Sequence, residues 1–376
     1  MKILNKYTYL FLGILLVSVT VILNFIPNLE TEQFDQEVIE NIIEGVTTTT
    51  IASPNNDNLN ENIESSKEVD ELVLTVEQIS DIDQILIYNK FEEEINDFDV
   101  YLLIGSDERS EEIALTRGQI TGKRADVIIL GLVNKNSQEI TLLSFPRDLL
   151  IKNSCTGSLE RINAAYTKNN CGGRAENLAA AIYSISGIRV TNFASFDFEG
   201  FEEIVDSVDG IEICVDKTQK DGFSFELQKG CQTVNGLTTL NWVVSRSTEV
   251  LVGEKIIDSD GNDTSEWKPM PGVSDLTRID RQQYVVMQLI NELKNFTSIS
   301  ELSSFVNALE NSFIIDENLS INKAVEILWT FRNIDLSKVS KFTTPVDFLT
   351  LDDGRQVLVL NDTIHNFLKS KSVIDS

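Results

Sequence analysis

The sequence predicts an α/β (α+β) protein: a single domain with a central mixed β-sheet flanked by helices, set behind an N-terminal transmembrane helix. Three observations carry this. Short apolar runs bounded by turn residues alternate with stretches of helical spacing, but without a strict β-α-β repeat, which points to a mixed sheet. Thr8–Ile26 contains no charge, and its length is close to the ~20 residues that cross a bilayer as a helix. Between that stretch and the apolar runs the chain is polar and acidic.

From the N-terminus, Lys2 and Lys6 precede the uncharged stretch and acidic residues follow it. The positive-inside bias then places residues 1–7 in the cytoplasm and everything beyond Pro27 outside, in the position of a cell-membrane protein with an extracytoplasmic domain. No small-x-small cleavage site follows the apolar core, which favours an uncleaved anchor over 8–26 against a removed signal peptide. Residues 27–71, with "TTTTIASPNNDNLNENIESS" inside them, read as a disordered stalk. Between Pro27 and Val100 twenty Asp and Glu stand against two Lys, in a chain of net charge −28. That balance excludes a nucleic-acid binder, which needs a basic face.

The domain is expected over 72–376. "DVYLLIGSD" is a short strand ending in a Gly-Ser turn. Val127–Val133 and Ile140–Phe145 are two buried strands joined by the hairpin-like "NKNSQE". "GGRAENLAAAIYSISG" has helical spacing and stops at Gly187, and "FEEIVDSVDG" is a short helix before the strand "IEICV". "TRIDRQQYVVMQLINELKNF" is a long amphipathic helix with apolar residues at 285, 286, 289, 290 and 293. Two more helices, "ISELSSFVNALENSF" and "INKAVEILWTF", precede a strand-like "RQVLVL".

Four cysteines, Cys155, Cys171, Cys214 and Cys231, contain no C-x-x-C element, and the one histidine, His365, is remote. A zinc site is therefore not expected. Two disulfides are, with sequential pairing the expected one of three connectivities.

The charges are distributed unusually. Arg124 and Asp126 stand just before the first buried strand, and Arg147 and Asp148 just after the second. Seven of the twelve arginines (109, 124, 147, 161, 246, 278 and 281) fall in five short stretches, mostly beside an Asp at the end of an apolar run. Exposed ion pairs worth about 0–1 kcal/mol account for Arg174, Arg189, Arg332 and Arg355. They account poorly for repeated Arg/Asp pairs at strand ends, where partly buried charge needs a partner or a ligand. Converging arginines with a few carboxylates suit one polyanion and a divalent cation, the Asp side chains holding Mg²⁺ against the same phosphates. An imidazole-based nucleophile system has no support, and neither a Walker loop nor G-x-G-x-x-G is present.

The stretches "LLIGSDER", "KRADVIIL", "LLSFPRDLL", "RINAAY", "FEGFEEIVDSVDGIEI", "VNGLTTLNWVVSRS" and "DLTRIDRQQ", in this order, resemble those of LytR–CpsA–Psr proteins, strongly over about Asp99–Gln283. The resemblance implies a cell-envelope phosphotransferase. Such an enzyme moves a glycopolymer from a polyprenyl-pyrophosphate carrier to the muramic acid 6-hydroxyl of peptidoglycan as a phosphodiester. It implies that the lipid lies in a hydrophobic tunnel with its pyrophosphate and Mg²⁺ at the mouth. By position, Asp107 and Asp126 are the implied Mg²⁺ ligands. Arg124, Arg147, Arg246 and Arg278 clamp the pyrophosphate with Gln282, and Arg109, Arg161 and Asp275 belong to the same set. Asp126 and Asp148 are the candidate bases beside Arg147. Arg278 and Gln282 are i and i+4, on one face of the helix they open, where phosphate is favoured. Val244 departs from the family's Arg-x-Arg, and "SEEIALTRGQITGK" is longer than usual. Two other readings stand beside the transferase: a non-catalytic polyprenyl-pyrophosphate binding protein, and a lipid pyrophosphatase with water as acceptor.

Overall fold

A computed structural model describes residues 31–32, 34–48, 86, 91, 93–106, 124–137, 139–167, 172–222, 224–271, 275–309, 313–316, 321–351 and 354–375. The expected anchor over 8–26, Asp107, Arg109 and Cys171 lie outside them. Among the described residues no helix is long and apolar enough to cross a membrane.

The chain runs through β1 (Thr31–Glu32), α1 (Gln36–Thr48), β2 (Phe98–Ser106), β3 (Ala125–Asn134), β4 (Ile140–Ser144), β5 (Leu150–Lys152), β6 (Leu159–Arg161), α2 (Arg174–Ser186), β7 (Asn192–Phe196) and α3 (Phe198–Asp206). A small lobe follows. It comprises β8 (Ile211–Val215), β9 (Gln219–Asp221), β10 (Phe225–Leu227), β11 (Gly230–Val234), α4 (Gly236–Val244), β12 (Glu249–Val252) and β13 (Glu266–Pro269). The chain then returns through α5 (Asp275–Glu292), α6 (Ile299–Ala308), β14 (Ile314–Asp316), α7 (Ile321–Phe331), β15 (Val339–Thr343), β16 (Val346–Thr350), β17 (Gln356–Leu360) and α8 (Ile364–Ser370).

Seven strands form the central sheet in the order β1-β14-β7-β2-β3-β4-β15. It is mixed, as the sequence predicts: β2 pairs antiparallel with β3 but parallel with β7, and β4 pairs parallel with β15. The hairpin expected around residues 134–139 joins β3 to β4. The helix expected to stop at Gly187 does so for two reasons. Gly187 sits at φ 68, and a Cβ there would lie 2.7 Å from the Glu93 carbonyl oxygen. Its N–H donates to the Tyr183 carbonyl at 2.8 Å, closing the last turn. The expected short helix and strand are α3 and β8, and the long amphipathic helix is α5.

The sheet's one face carries the main core, where Val100, Leu102, Ile104, Ile128, Leu130 and Leu132 pack with α2 and α8. The second face meets α5. A separate core fills the small lobe between α3, α4, β8 and β10.

The expectation of a disordered stalk over 27–71 does not hold for its first part. β1 pairs with β14, and α1 packs on α2, with Phe34 and Ile39 buried in the main core. Ile39, Ile42 and Ile43 share one helix face against that core. The surrounding acidic residues hide this spacing in a composition-based reading.

Cys214 and Cys231 are register partners on β8 and β11 and form the expected disulfide. Cys155 is also disulfide-bonded.

Candidate active site

A cavity of about 250 Å³ opens between the second face of the sheet and the helices α3, α4 and α5. Its wall is apolar: Leu103 and Val127 from the sheet, Phe201 and Leu240 from α3 and α4, Val285 and Leu289 from α5. Ser106, Asp126, Arg278 and Gln282 are the described residues that bring polar side chains to it. They gather at one end. Ser106 is the register partner of Ala125 where the β2–β3 ladder stops, and Asp126 is next along β3. Arg278 and Gln282 occupy the first two turns of α5. From Arg278 to Ile290 the helix covers ~18 Å at 1.5 Å per residue, and both residues line the cavity. A second apolar cavity of about 230 Å³ shares Phe305, Phe313 and Leu328 with the first. The space is thus elongated, greasy along its length and charged at its mouth.

The local backbone shapes the mouth. The β2–β3 register shifts between Gly105 and Ser106, a bulge that re-aims the end of β2. A Cβ on Gly105 would fall 2.8 Å from Val127 Cγ2 and 3.2 Å from the Phe196 ring, so a glycine is needed for the close approach. Asp197, between the lining residues Phe196 and Phe198, caps α3 by accepting from Gly200 N–H at 2.8 Å. Burial pushes its carboxyl pKa up, and that hydrogen bond opposes the rise.

Arg147 follows Pro146, which bars the chain from continuing the β4 ladder, and meets the lining residue Asp126. Its Nη1 donates to Asp126 Oδ1 at 2.7 Å, and its Nε lies 3.6 Å from Asp148 Oδ2. Asp148 Oδ1 in turn lies 3.2 Å from Arg161 Nε, and Arg161 Nη2 donates to the Gln356 carbonyl at 3.0 Å. Four of the sequence-predicted residues therefore form a chain of alternating charge, Asp126–Arg147–Asp148–Arg161, leading away from the cavity. Arg278 is 3% exposed and lines the mouth directly. Arg124 is half-buried at the entry to β3. Arg246 is exposed just beyond α4, and Asp275 is the first residue of α5. Val244, the departure from the family pattern, is part of the apolar wall.

Sequence reading missed several contributors. Ser106 is visible in the sequence only as the residue after Gly105. The strand β7 and the helix α4 supply Phe196, Leu240 and Val243 to the wall. Gln283, buried beside Gln282, donates through Nε2 to Ser144 Oγ and to the Phe342 carbonyl, both at 2.8 Å. It ties α5 to β4, three residues before Arg147, and so fixes the spacing between Arg278 and Arg147. No local pattern marks such a glutamine. Arg281 points the other way. It donates to the Trp242 carbonyl at 2.7 Å and to Thr248 Oγ1 at 3.1 Å. Burial presses its pKa down to about 10, with Asp221 opposing and the like charge of Arg278 adding.

A mixed sheet whose second face carries a long apolar cavity, with one arginine near a helix N-terminus and one carboxylate on its wall, defines a protein suited to an amphiphile with an acidic head group. The chain belongs to the LytR_cpsA_psr family, whose family model matches residues 58–253 and 267–372. It is 26% identical over 308 residues to the cell wall biosynthesis protein LcpA of Corynebacterium glutamicum, covering 71% of this chain and 54% of that protein. It is 26% identical over 233 residues to the polyisoprenyl-teichoic acid–peptidoglycan teichoic acid transferase TagU of Bacillus subtilis, 62% of each chain. The chain thus spans about half the length of the first relative and 62% of the second. The crystal structure of B. subtilis TagV superimposes with a TM-score of 0.55 at 20% identity, over 74% of this chain and 96% of that one, a likeness of fold.

Proposed function

We propose that the protein is a membrane-anchored phosphotransferase that moves a glycopolymer from a polyprenyl-pyrophosphate carrier to peptidoglycan, forming a phosphodiester during cell wall assembly. The observation that carries this reading is the elongated apolar cavity whose polar wall residues, Ser106, Asp126, Arg278 and Gln282, gather at one end. An isoprenoid fills the apolar length, and the pyrophosphate meets the arginines. The name of the B. subtilis relative, a polyisoprenyl-teichoic acid–peptidoglycan transferase, supports the same donor and acceptor classes. The uncharged stretch 8–26 would hold the domain outside the membrane.

The donor set at the mouth suits Mg²⁺: hard oxygen ligands from Asp126 and the neighbouring Ser106 hydroxyl, beside the head-group position. Asp126, with Asp107, would hold the ion, which supplies charge compensation on phosphate oxygens. The guanidinium of Arg278 binds the pyrophosphate directly, with Gln282 hydrogen-bonding beside it. Arg147, held by Asp126 and Asp148, offers its planar fork to the same oxygens, and Asp148 and Arg161 orient it. The acceptor hydroxyl attacks the phosphorus next to the sugar, its proton passes to a carboxylate at the mouth, and polyprenyl phosphate leaves. Two carboxylates are candidates for this proton: Asp126, which lines the cavity and pairs with Arg147, and Asp148, which pairs with Arg147 and Arg161.

A labelled polyprenyl-pyrophosphate glycan, incubated with the purified protein with and without peptidoglycan, tests the reading. Label covalently attached to peptidoglycan is the expected product. Release of label without peptidoglycan would make the protein a pyrophosphatase, and tight binding without turnover would make it a carrier-binding protein.

A further inference from the structure

The first strand limits how far the domain can stand from its anchor. The uncharged stretch ends at Ile26, and β1 starts at Thr31. Whatever path residues 27–30 take, five peptide steps span at most ~18 Å. The register of the sheet shows by which edge the chain arrives. Thr31, Ile315, Ala194, Leu103 and Ile129 form one row across β1, β14, β7, β2 and β3. β1 is parallel to β14, β14 is antiparallel to β7, and β7 is parallel to β2, so β1 runs opposite to β2. From that row β2 runs toward Ser106, and β1 therefore enters the row from the edge where Ser106 and Asp126 stand. Both residues lie three positions beyond the row, ~10 Å along the strands. A straight tether then leaves ~8 Å between the cavity mouth and the end of the anchor, about the depth of a head-group layer.

The same edge carries an exposed aromatic ring. β15 ends level with Ser144, and the chain passes through Thr344 and Pro345 directly into β16. There Phe348 is 62% exposed, more than any other large apolar side chain among the described residues. Its register partner is Leu358, whose N–H donates to the Asp148 carbonyl at 3.0 Å. Two strand spacings, ~10 Å, thus separate Phe348 from Asp148 at the charged end of the site. A phenyl ring is costly to hydrate, and the boundary layer of a bilayer accepts such a ring beside polar groups.

We propose that this edge of the sheet rests on the bilayer surface, with Phe348 sunk into the boundary layer. The cavity mouth then opens at the depth where the phosphates of a membrane-borne lipid lie. The proposal rests on the anchor reading of residues 8–26 and on no step of the transfer reaction. The short tether selects phospholipid as the occupant: it holds this edge against the membrane at all times, and it holds no other partner there.

The test uses the full chain reconstituted in vesicles of phosphatidylcholine and phosphatidylglycerol, with and without bromine on the acyl chains. Phe348→Trp places a fluorophore at the proposed contact. Asn136→Trp places one in the exposed β3–β4 turn, at the opposite edge of the sheet. The parent, with Trp242, Trp267 and Trp329, supplies the background. Brominated lipid should quench the added emission of Phe348→Trp at least twofold and leave that of Asn136→Trp unchanged. Unquenched Phe348→Trp, or equal quenching at the two positions, overturns the docking. A ring unreached by brominated lipid yet shielded from aqueous iodide only at high protein concentration assigns Phe348 to a contact between two copies instead. A chain that fails to float with the vesicles overturns the anchor reading and the docking with it. Transfer of label to peptidoglycan is measured separately, so neither negative result touches the phosphotransferase reading.

Discussion

The two faces of the central sheet are both apolar, and both bury side chains, but along β2 they differ in packing. On β2, Val100, Leu102 and Ile104 are at most 1% exposed, whereas Tyr101 and Leu103, which alternate with them, are only half-buried. The first set is roofed by α1, α2 and α8. The second meets α5, which leaves room for the cavity. The difference lies in what stands opposite each face. A hydrophobic side chain is as costly to hydrate on either one, so the half-buried apolar stretch of Leu103 and Val127 beside the cavity marks the place where another apolar molecule fits.

The largest effect is expected from the N-terminal roof of the packed face. Removing residues 1–71 should destabilise the domain severely, because Phe34 and Ile39 leave the core and each buried side chain of that size contributes about 1.5–3 kcal/mol. A denaturation midpoint equal to that of the full chain would show that α1 is dispensable, as a stalk would be.

A paired substitution sharpens the contrast between faces. Leu102→Ala should cost about 2–5 kcal/mol of stability, as large-to-small changes in packed cores do, and leave farnesyl pyrophosphate binding intact. Leu103→Ala, one residue on, should cost less than half as much and weaken that binding instead. Urea unfolding and lipid titration on both variants check this. Equal destabilisation with no change in binding would mean that the cavity face is simply core.

At the mouth the expected effect on stability is small and that on activity large. Arg147→Lys keeps the charge facing Asp126 and Asp148 but not the planar fork. Its melting temperature should stay near that of the parent while most of the transfer rate is lost, and Arg147→Ala should abolish transfer. A destabilised Lys variant with normal specific activity would make Arg147 a structural ion-pair residue.

The smallest effect is an alkaline one, remote from the cavity. Tyr183 donates to Glu94, and Arg189 bridges Glu94 to Glu40 of α1. Burial, then the hydrogen bond and charge of Glu94, push the Tyr183 phenol up from 10.0 to about 12. The folded state therefore holds this proton more tightly than the unfolded chain. The resulting stability is complete below pH 10.0 and is lost as pH rises toward about 12. Tyr183→Phe should flatten the pH dependence of unfolding in that window. An identical slope in the two proteins would detach Tyr183 from it.

Much of the site is legible in the sequence because its parts are local. Alternating apolar runs give β2, β3 and β4, and helical spacing gives α2 and α5. Charges next to strand ends single out Asp126, Arg147 and Asp148 as a group, and the structure does bring them together. The i, i+4 relation of Arg278 and Gln282 puts both on the cavity side of α5. Arg161 is different: its neighbours in sequence do not reveal that it turns to Asp148 and the Gln356 carbonyl rather than to the cavity wall.

By itself, then, the sequence determined which side chains share a face and where charge meets apolar surface, since both depend on neighbours within a few residues. Only the tertiary structure decided what lies across from each face. It put α1 onto the core despite its acidic surroundings, left the second face of the sheet open as a cavity, and set Gln283 between Ser144 and Phe342. These are contacts between segments far apart in the chain, and hydrophobic burial is non-directional, so no local periodicity encodes which partner covers a given apolar face.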